Sequence, residues 1–561
     1  MPPSGPLIVQ SDRTLLLDTS AEGADAARDA VLPFAELLRA PEHVHTFRLS
    51  RLSLWNAAAR GLGPETVLER LDAHSRFPVP ESIRAEVRDT MGRYGQLRLR
   101  PGGDGSLFLE ADDPELLKRV HLYRAVADHV EGDAGPGRLW VREDRRGLLK
   151  QALTECGWPV RDMVGYTPGA PLDVALRDTT LGGAPLALRD YQAAAVEAFF
   201  RGGSVEGGEG VIVLPCGAGK TMVGLAAMAT ARTHTLVLVT GTVAARQWIR
   251  EALDKTTLAR GDAGEYSGQR KQIRPFTVAT YQVVARRQGG RFPHLEALRA
   301  AGFGLVIYDE VHLLPAPLFR FAVEVQARRR LGLTATLVRE DGRESDVFSL
   351  IGPRRYDAPW RDLEARGWVA AARCTEVRVP LPESALRAIL EAERAKRFRM
   401  ASTHPSKDAV IQEICGRHAN DHVLVIGHFL DQLHRIAGRL RAPLITGETS
   451  TAERERLFRE FRSAPRSCLV VSRVANFAVD LPEANVAVEI SGLFGSRQEE
   501  AQRLGRILRP KPGGARFYAV VARGTEEQDH AWRRQLFLGE QGYRYEMEDL
   551  GGAVPGTEGG A

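Results

Sequence analysis

Two tandem α/β lobes, each a doubly wound parallel sheet, preceded by small mixed α/β domains, are the fold the sequence predicts. Three observations predict it. Short apolar runs recur with helical stretches between them: VIVL (211–214), LVLV (236–239), TVATY (277–281), LVIY (305–308) and LGL (331–333). A second series follows: VLVIG (423–427), PLIT (443–446), CLVV (468–471), VAVEI (486–490) and FYAVV (517–521). Buried parallel strands read as such Val/Ile/Leu runs, and parallel connections require the intervening helices. Length agrees, since 561 residues at about 150 per domain make three to four domains.

Taken in order, residues 1–104 read as a small α+β domain. Residues 25–40 have helical apolar spacing, and three more helical patterns follow at 51–60, 64–75 and 80–94, where Ile83, Val87 and Met91 share one face. QLRLR (96–100) and SLFLE (106–110) read as a hairpin, so the domain has a winged-helix outline. Its acidic balance leaves DNA binding, protein contact and a purely structural role all open. Residues 105–185 read as a second small α/β domain ending in a Gly- and Pro-rich linker at 164–187. The first lobe spans 186–378, a helical insertion 379–406, the second lobe 407–545, and a Gly-rich tail 546–561 is expected to be disordered.

Composition narrows the class. Hydrophobic residues are 43% and charged residues 26% of the chain, as in globular proteins. No apolar run approaches the ~18 residues of a membrane span, and MPPSGPLIVQSDRTLLLD lacks the order of a signal peptide. A cytoplasmic protein with no membrane partner is expected, nucleoid-associated if bacterial. The five cysteines are scattered and never form a CxxC pair, which speaks against a disulfide framework or a zinc ribbon. Residues 1–185 carry 23 basic and 27 acidic groups, and residues 186–561 carry 53 and 44. A polyanion therefore suits the C-terminal two-thirds.

Three motifs carry chemistry. Pro215, Cys216, Gly217, Ala218, Gly219, Lys220 and Thr221 follow a strand and open a helix. Glycines let backbone amides wrap a phosphate chain, Lys220 reaches the β- and γ-phosphates, and Thr221 offers a hydroxyl to Mg²⁺. The strict GxxxxGK[ST] pattern fails at one position, where Leu214 stands for glycine. Asp309, Glu310, Val311 and His312 end the strand LVIY, 89 residues after Lys220. There Asp309 can hold Mg²⁺ and Glu310 can polarise the attacking water. In Gln502 to Arg509 (QRLGRILR), Arg506 and Arg509 share a helix face and suit the charge of a transferring γ-phosphate.

With these motifs in place, the sequence from about 186 to 545 resembles superfamily-2 helicases, and within them the XPB-like DNA helicases. The resemblance implies that both lobes are RecA-like. Leu188 to Gln192 is similar to the upstream adenine-reading motif, implying Arg189 and Gln192 at the nucleotide, with Gln192 contacting the base. Val239 to Trp248 and Thr277 to Gln282 resemble strand-tracking motifs Ia and Ib, and Thr334-Ala335-Thr336 resembles motif III. Ser472 to Pro482 resembles motif V, with Ala478 where many relatives have glycine; Gln498 to Arg509 resembles motif VI. Arg339-Glu340-Asp341 resembles the subfamily's duplex-opening tripeptide. The insertion matches a thumb whose RAKRFRM (394–400) reads either as a phosphate- and base-contacting end, through Phe398, or as a solvated helix face. His312, Thr334, Thr336 and Gln502 are implied as coupling residues.

The expected activity is an ATP- and Mg²⁺-dependent DNA helicase or translocase acting on single-stranded or forked duplex DNA; the resemblance implies 3′-to-5′ polarity and a role in DNA repair. A nuclease or repair-complex protein is the expected partner, because the sequence shows no nuclease-like metal cluster. A duplex-DNA translocase without strand separation and an RNA-remodelling ATPase are the alternatives.

Overall fold

The computed structural model describes residues 5–39, 43–102, 106–215, 217–289, 291–325, 328–335, 342–358, 360–369, 372–472, 484–491, 514–531 and 545–549. Among them the chain forms four sheets. Strands β1 (Leu7–Val9), β2 (Thr14–Asp18), β3 (Glu36–Arg39) and β4 (Val44–Arg48) make an antiparallel sheet in the order β1-β2-β4-β3. Helices Arg51–Ala59, Pro64–His74 and Glu81–Arg93 cover it, and Ile83, Val87 and Met91 enter a core with Leu15, Leu17 and Phe47. The helix read over 25–40 ends at Val31. Pro33 brings no N–H to extend the helical ladder, and the chain re-forms as β3.

Strands β5 (Leu97–Pro101), β6 (Leu107–Ala111), β7 (Val130–Asp133), β8 (Arg138–Val141) and β9 (Val160–Asp162) form a second sheet, β7-β8-β6-β5-β9. The expected hairpin is β5–β6, but it belongs to this sheet and makes no winged helix with the preceding helices. The reason is its alternation: Leu97, Leu99, Leu107 and Leu109 point into a core with Leu117, Leu149 and Leu153. The segment read as a linker lies against the first lobe, where Leu172 and Val174 join the core and Pro171 bridges to Thr233.

The first large sheet has seven strands: β10 (Glu209–Val213), β11 (Thr235–Val239), β12 (Ala263–Tyr266), β13 (Phe276–Thr280), β14 (Leu305–Asp309), β15 (Arg329–Thr334) and β16 (Arg354–Asp357). The order is β12-β13-β11-β14-β15-β10-β16 and every pairing is parallel. All carboxyl ends therefore share one edge, where open α/β sheets bind ligands. The second comprises β17 (Ala372–Val379), β18 (His422–Gly427), β19 (Leu444–Ile445), β20 (Ser467–Ser472), β21 (Val486–Glu489), β22 (Ala515–Ala522) and β23 (Tyr545–Asp549). It is parallel throughout, in the order β19-β20-β18-β21-β22-β17-β23. Residues 372–378, read as the end of the first lobe, lie in β17, which pairs with β22 and β23 and so belongs to the second.

Helices Glu383–Glu391 and Arg394–Ser402 form the insertion and pack Ile389 and Ala401 on Ala522. Phe398 is buried, edge-on to His530 with ring centroids 5.3 Å apart and near Phe429. The stacking role expected for it is thereby corrected: the ring anchors the helix instead of facing a base.

The amino ends of β10 and β15 hold a buried ion cluster that fastens the five-stranded unit to the first lobe. Arg146 grips Asp162 through two bonds of 2.9 and 2.7 Å. Lys150 Nζ donates to Asp162 and Glu209, each at 3.1 Å, and Arg330 also pairs with Glu209. Farther along the sheet, the Arg354 N–H donates to Asn56 Oδ1 at 2.8 Å and ties the N-terminal unit to β16. Among the described residues no helix is long and apolar enough to cross a membrane.

Candidate nucleotide site

At the opposite, carboxyl edge, β10 runs into the glycine-rich turn. Gly217 (φ +82°) and Gly219 (φ +81°) take left-handed backbone angles that favour glycine. A Cβ on Gly219 would also stand 2.5 Å from Gln192 Nε2. Helix Lys220–Ala231 starts at once, so its unpaired N–H groups and positive dipole end face the turn. Leu214 and Ala218 are fully buried, which explains why leucine serves where the strict motif has glycine: that position packs in the core. Cys216 lies outside the described residues.

The upstream segment braces this turn. Ala218 O accepts from Tyr191 OH at 2.7 Å and from Gln192 Nε2 at 3.0 Å, while Gln192 Oε1 accepts from Arg189 N at 3.0 Å. Gln192 is buried and engaged at both ends of its amide. Arg189 stacks on the Trp368 ring, 4.5 Å from its centroid, and donates to Tyr191 OH at 3.1 Å.

Asp309 ends β14, two strands from β10, and its neighbours position it closely. Trp248 Nε1 donates to Asp309 Oδ2 at 2.8 Å, and Tyr281 OH donates to the Asp309 carbonyl at 2.8 Å. Gly224 lets helix Lys220–Ala231 approach this indole, since a Cβ there would meet the Trp248 ring at 2.5 Å. Trp248 and Tyr281 were legible only as parts of the strand-tracking motifs; their grip on Asp309 depends on distant segments converging. Burial, followed by the adjacent Glu310 charge, raises the Asp309 carboxyl to about 6, against the Trp248 bond and Lys220.

Glu310 holds a left-handed angle (φ +53°), uncommon for a residue with a side chain. Its Oε1 is 3.5 Å from Lys220 Nζ and its Oε2 is 3.5 Å from His312 Nδ1. Burial raises its pKa, but Lys220, His312 and the Ala335 N–H outweigh burial and hold it below the usual range. His312 is buried, with Nδ1 2.5 Å from Thr334 Oγ1. Lys220, Glu310, His312 and Thr334 thus make one continuous polar chain from the phosphate turn to the end of β15. Thr221 sits one residue after Lys220 on the same first turn and is partly exposed.

This donor set fits a triphosphate with Mg²⁺. A backbone cradle and a lysine meet the anion; a hydroxyl and a carboxylate, whose charge is poorly compensated, meet the cation. Mg²⁺ is commonly held by one or two protein oxygens plus substrate phosphates. Thr336, Arg339, Glu340, Asp341, Gln502, Arg506 and Arg509, and the motif V segment from 473, lie outside the described residues.

Comparison with known proteins gives three family matches. Residues 363–550 match the family described as ERCC3/RAD25/XPB C-terminal helicase. Residues 185–339 match type III restriction enzyme, res subunit, and residues 7–130 match helicase conserved C-terminal domain. The chain is 53% identical over 560 residues to a Kineococcus radiotolerans protein named DNA 3′-5′ helicase XPB, covering 99% of each. It is 52% identical over 547 residues to the Mycobacterium tuberculosis protein of the same name, covering 97% of this chain and 98% of that one. It is 34% identical over 574 residues to the Antonospora locustae protein named general transcription and DNA repair factor IIH helicase/translocase subunit XPB, covering 96% of this chain and 81% of that one.

Proposed function

The chain belongs to the XPB family of DNA helicases, and on that premise we propose how its residues divide the work of an ATP-dependent DNA 3′–5′ helicase. The observation that carries the proposal is the polar chain Lys220–Glu310–His312–Thr334 with Asp309 beside it at the carboxyl edge of the first lobe. The amides of 217–220 and Lys220 bind the β- and γ-phosphates of ATP. Thr221 and Asp309 hold Mg²⁺, which neutralises the phosphate charge when bound. Glu310, held below the usual carboxylate range beside Lys220, orients and deprotonates the attacking water. Arg189 and Gln192 serve the base end, and Gln192 also braces the turn.

His312 and Thr334 report the state of Glu310 to the end of β15, two residues before Thr336 in the sequence and five before the Arg339-Glu340-Asp341 tripeptide. These, with Gln502, carry the coupling and duplex opening. Arg506 and Arg509 come from the second lobe and stabilise the transferring γ-phosphoryl group, a contribution of ~10³–10⁵ in rate for such arginines. The proposed domain plan is the 1–104, 105–185, 186–378, 379–406 and 407–545 division with three boundaries moved: the second unit begins with β5, the second lobe begins with β17, and that lobe runs through β23 into the stretch read as a disordered tail. A role in DNA repair, with a nuclease or repair-complex protein as partner, completes the reading.

ATP hydrolysis and strand release on 3′-tailed DNA, 5′-tailed DNA and a tailed RNA duplex test it, with Lys220→Ala as the control. Hydrolysis stimulated by DNA and release from the 3′-tailed substrate alone are expected. Stimulation by RNA only sinks the DNA assignment. Triplex displacement without release of any tailed strand makes the protein a duplex translocase.

A further inference from the structure

The thirty residues 266–295 contain six basic residues, Arg270, Lys271, Arg274, Arg286, Arg287 and Arg291, and not one acidic residue. In a chain with 76 basic and 71 acidic groups this local excess stands out. The structure gathers these residues on two short turns at the free β12 edge of the first lobe, the edge away from the N-terminal unit. In one turn Ser267 N donates to Arg270 O at 2.7 Å and Gln272 N to Glu265 O at 3.1 Å. In the other, Gln288 and Arg291 exchange backbone bonds of 2.9 and 3.0 Å. Tyr266 joins the two: its hydroxyl meets His294 Nδ1 at 2.8 Å, and Lys271 Nζ lies 5.1 Å from its ring centroid.

All six basic residues are exposed. Among the described residues Arg270, Lys271, Arg274, Arg286 and Arg291 form no ion pair with a carboxylate. Glu265, the nearest carboxylate in sequence before the turns, is buried and bonded to Ser267 Oγ and Arg246. Elsewhere exposed arginines do pair, as Arg88 with Glu65 and Arg456 with Glu453. The cations also repel one another: desolvation and then Arg286 lower the Lys271 pKa, and desolvation, Lys271 and Arg286 lower that of His294. A surface that gathers like charges without carboxylate partners among the described residues, as at Arg270, Lys271, Arg274, Arg286 and Arg291, is complementary to a polyanion.

Position and composition identify the polyanion. The turns follow β12 and β13, whose carboxyl ends lie on the same edge as the phosphate turn because the sheet is wholly parallel. β12 is five strand positions from β10, roughly 24 Å at about 4.8 Å per strand, so the patch and the nucleotide turn cannot share one ligand. The patch adjoins the two segments read as strand-tracking motifs: Arg246 Nη2 donates to Gln269 Oε1 at 2.8 Å, beside Arg270, and Gln282 Nε2, four residues before Arg286, ties the two segments together at Thr240 O over 2.6 Å. Single-strand binders add exposed aromatic platforms for base stacking. Here Tyr266, Phe276 and Tyr281 are buried and Phe292 packs against the lobe's core. We infer that Arg270, Lys271, Arg286 and Arg291 form a phosphate-binding patch for the backbone of duplex DNA, outside the nucleotide cleft and beside the tracked strand. This rests on the DNA-motor reading above.

The test uses the full chain and a blunt, dye-labelled DNA duplex, with anisotropy titrations across salt concentrations. The variant is Arg270→Gln/Lys271→Gln/Arg286→Gln. The slope of log affinity against log salt should become shallower by about 2–3, since each lost phosphate contact removes ~0.9. Affinity at 0.1 M salt, an ordinary working strength, should fall about tenfold or more. Melting temperature and DNA-free ATP hydrolysis should match wild type, and Arg286→Lys alone should keep the wild-type slope. An unchanged slope in the folded variant overturns the patch. So does a slope change on oligo-dT without one on duplex, or competition by polyglutamate equal to that by DNA. Loss of the DNA-motor reading would show separately, as wild-type protein whose ATP hydrolysis DNA does not stimulate.

Discussion

The first lobe's sheet carries charge at both edges, and the two edges are built differently. At the amino ends, three cations (Arg146, Lys150 and Arg330) meet two carboxylates (Asp162 and Glu209) within a buried cluster. Burial alone would raise both carboxyl pKa values, yet Lys150 with Arg146 holds Asp162 low, and Lys150 with Arg330 holds Glu209 low. At the carboxyl ends, Lys220 faces two carboxylates, and Asp309 stays raised to about 6. A completed cluster works as glue between domains. An incomplete one leaves a raised carboxylate, the kind of group that a bound Mg²⁺ would compensate. The contrast teaches that buried ionic groups announce a site when one carboxylate among them stays raised, as Asp309 does, while Asp162 and Glu209 are held low by their cations.

The largest expected effect falls at the incomplete end. Glu310→Gln should lower DNA-stimulated ATP turnover by about 10²–10⁴-fold, the range for losing a positioned general base, while duplex affinity persists. Steady-state hydrolysis and anisotropy check this, and retained turnover would remove Glu310 from its role. Next, Asp162→Ala at the complete end should cost about 3–5 kcal/mol of stability, because it leaves buried cations uncompensated. Denaturant unfolding measures it, and a loss below about 1 kcal/mol would mean that water already reaches the cluster.

A smaller and opposite effect belongs to Asp309→Asn. Removing a carboxylate raised to about 6 should stabilise the nucleotide-free protein by about 1–3 kcal/mol at neutral pH, even as turnover is lost. The pH dependence separates the two ends. Asp162 and Glu209 are depressed, so their contribution is complete above the unfolded carboxylate range near pH 4 and is lost as pH falls below it. Asp309 runs the other way, its contribution falling as pH rises from about 4 to about 6. The stability gap between wild type and Asp309→Asn should therefore open across that window and close below it. A gap independent of pH would assign the effect to packing.

Much of the site was legible in sequence because its parts are local. A glycine turn opening a helix, and Asp-Glu at a strand end, each announce themselves within a few residues. The ten apolar runs became strands for the same reason, since both faces of a parallel strand are buried. The edge strands β12 (AGEY) and β16 (RRYD) carry mixed residues and gave no such signal. The hairpin β5–β6 was legible, but its sheet was not, because β8 and β9 pair with it from far along the chain. Phe398 looked exposed in RAKRFRM, and only the packing of His530 shows why it is buried. Trp248 as the group that holds Asp309, and the ion cluster built from residues 146 to 330, required three dimensions.

The central claim is that the carboxyl-end cluster is completed by a magnesium-bound triphosphate gripped by Lys220. Thermal unfolding with Mg²⁺ and a slowly hydrolysed ATP analogue measures it most directly. At about 100 times the dissociation constant the ligand should add ~2.7 kcal/mol, raising the wild-type midpoint by several degrees at about 2–4 °C per kcal/mol. Lys220→Ala should show little of that rise. An equal rise in both proteins, or none in wild type, would contradict the account.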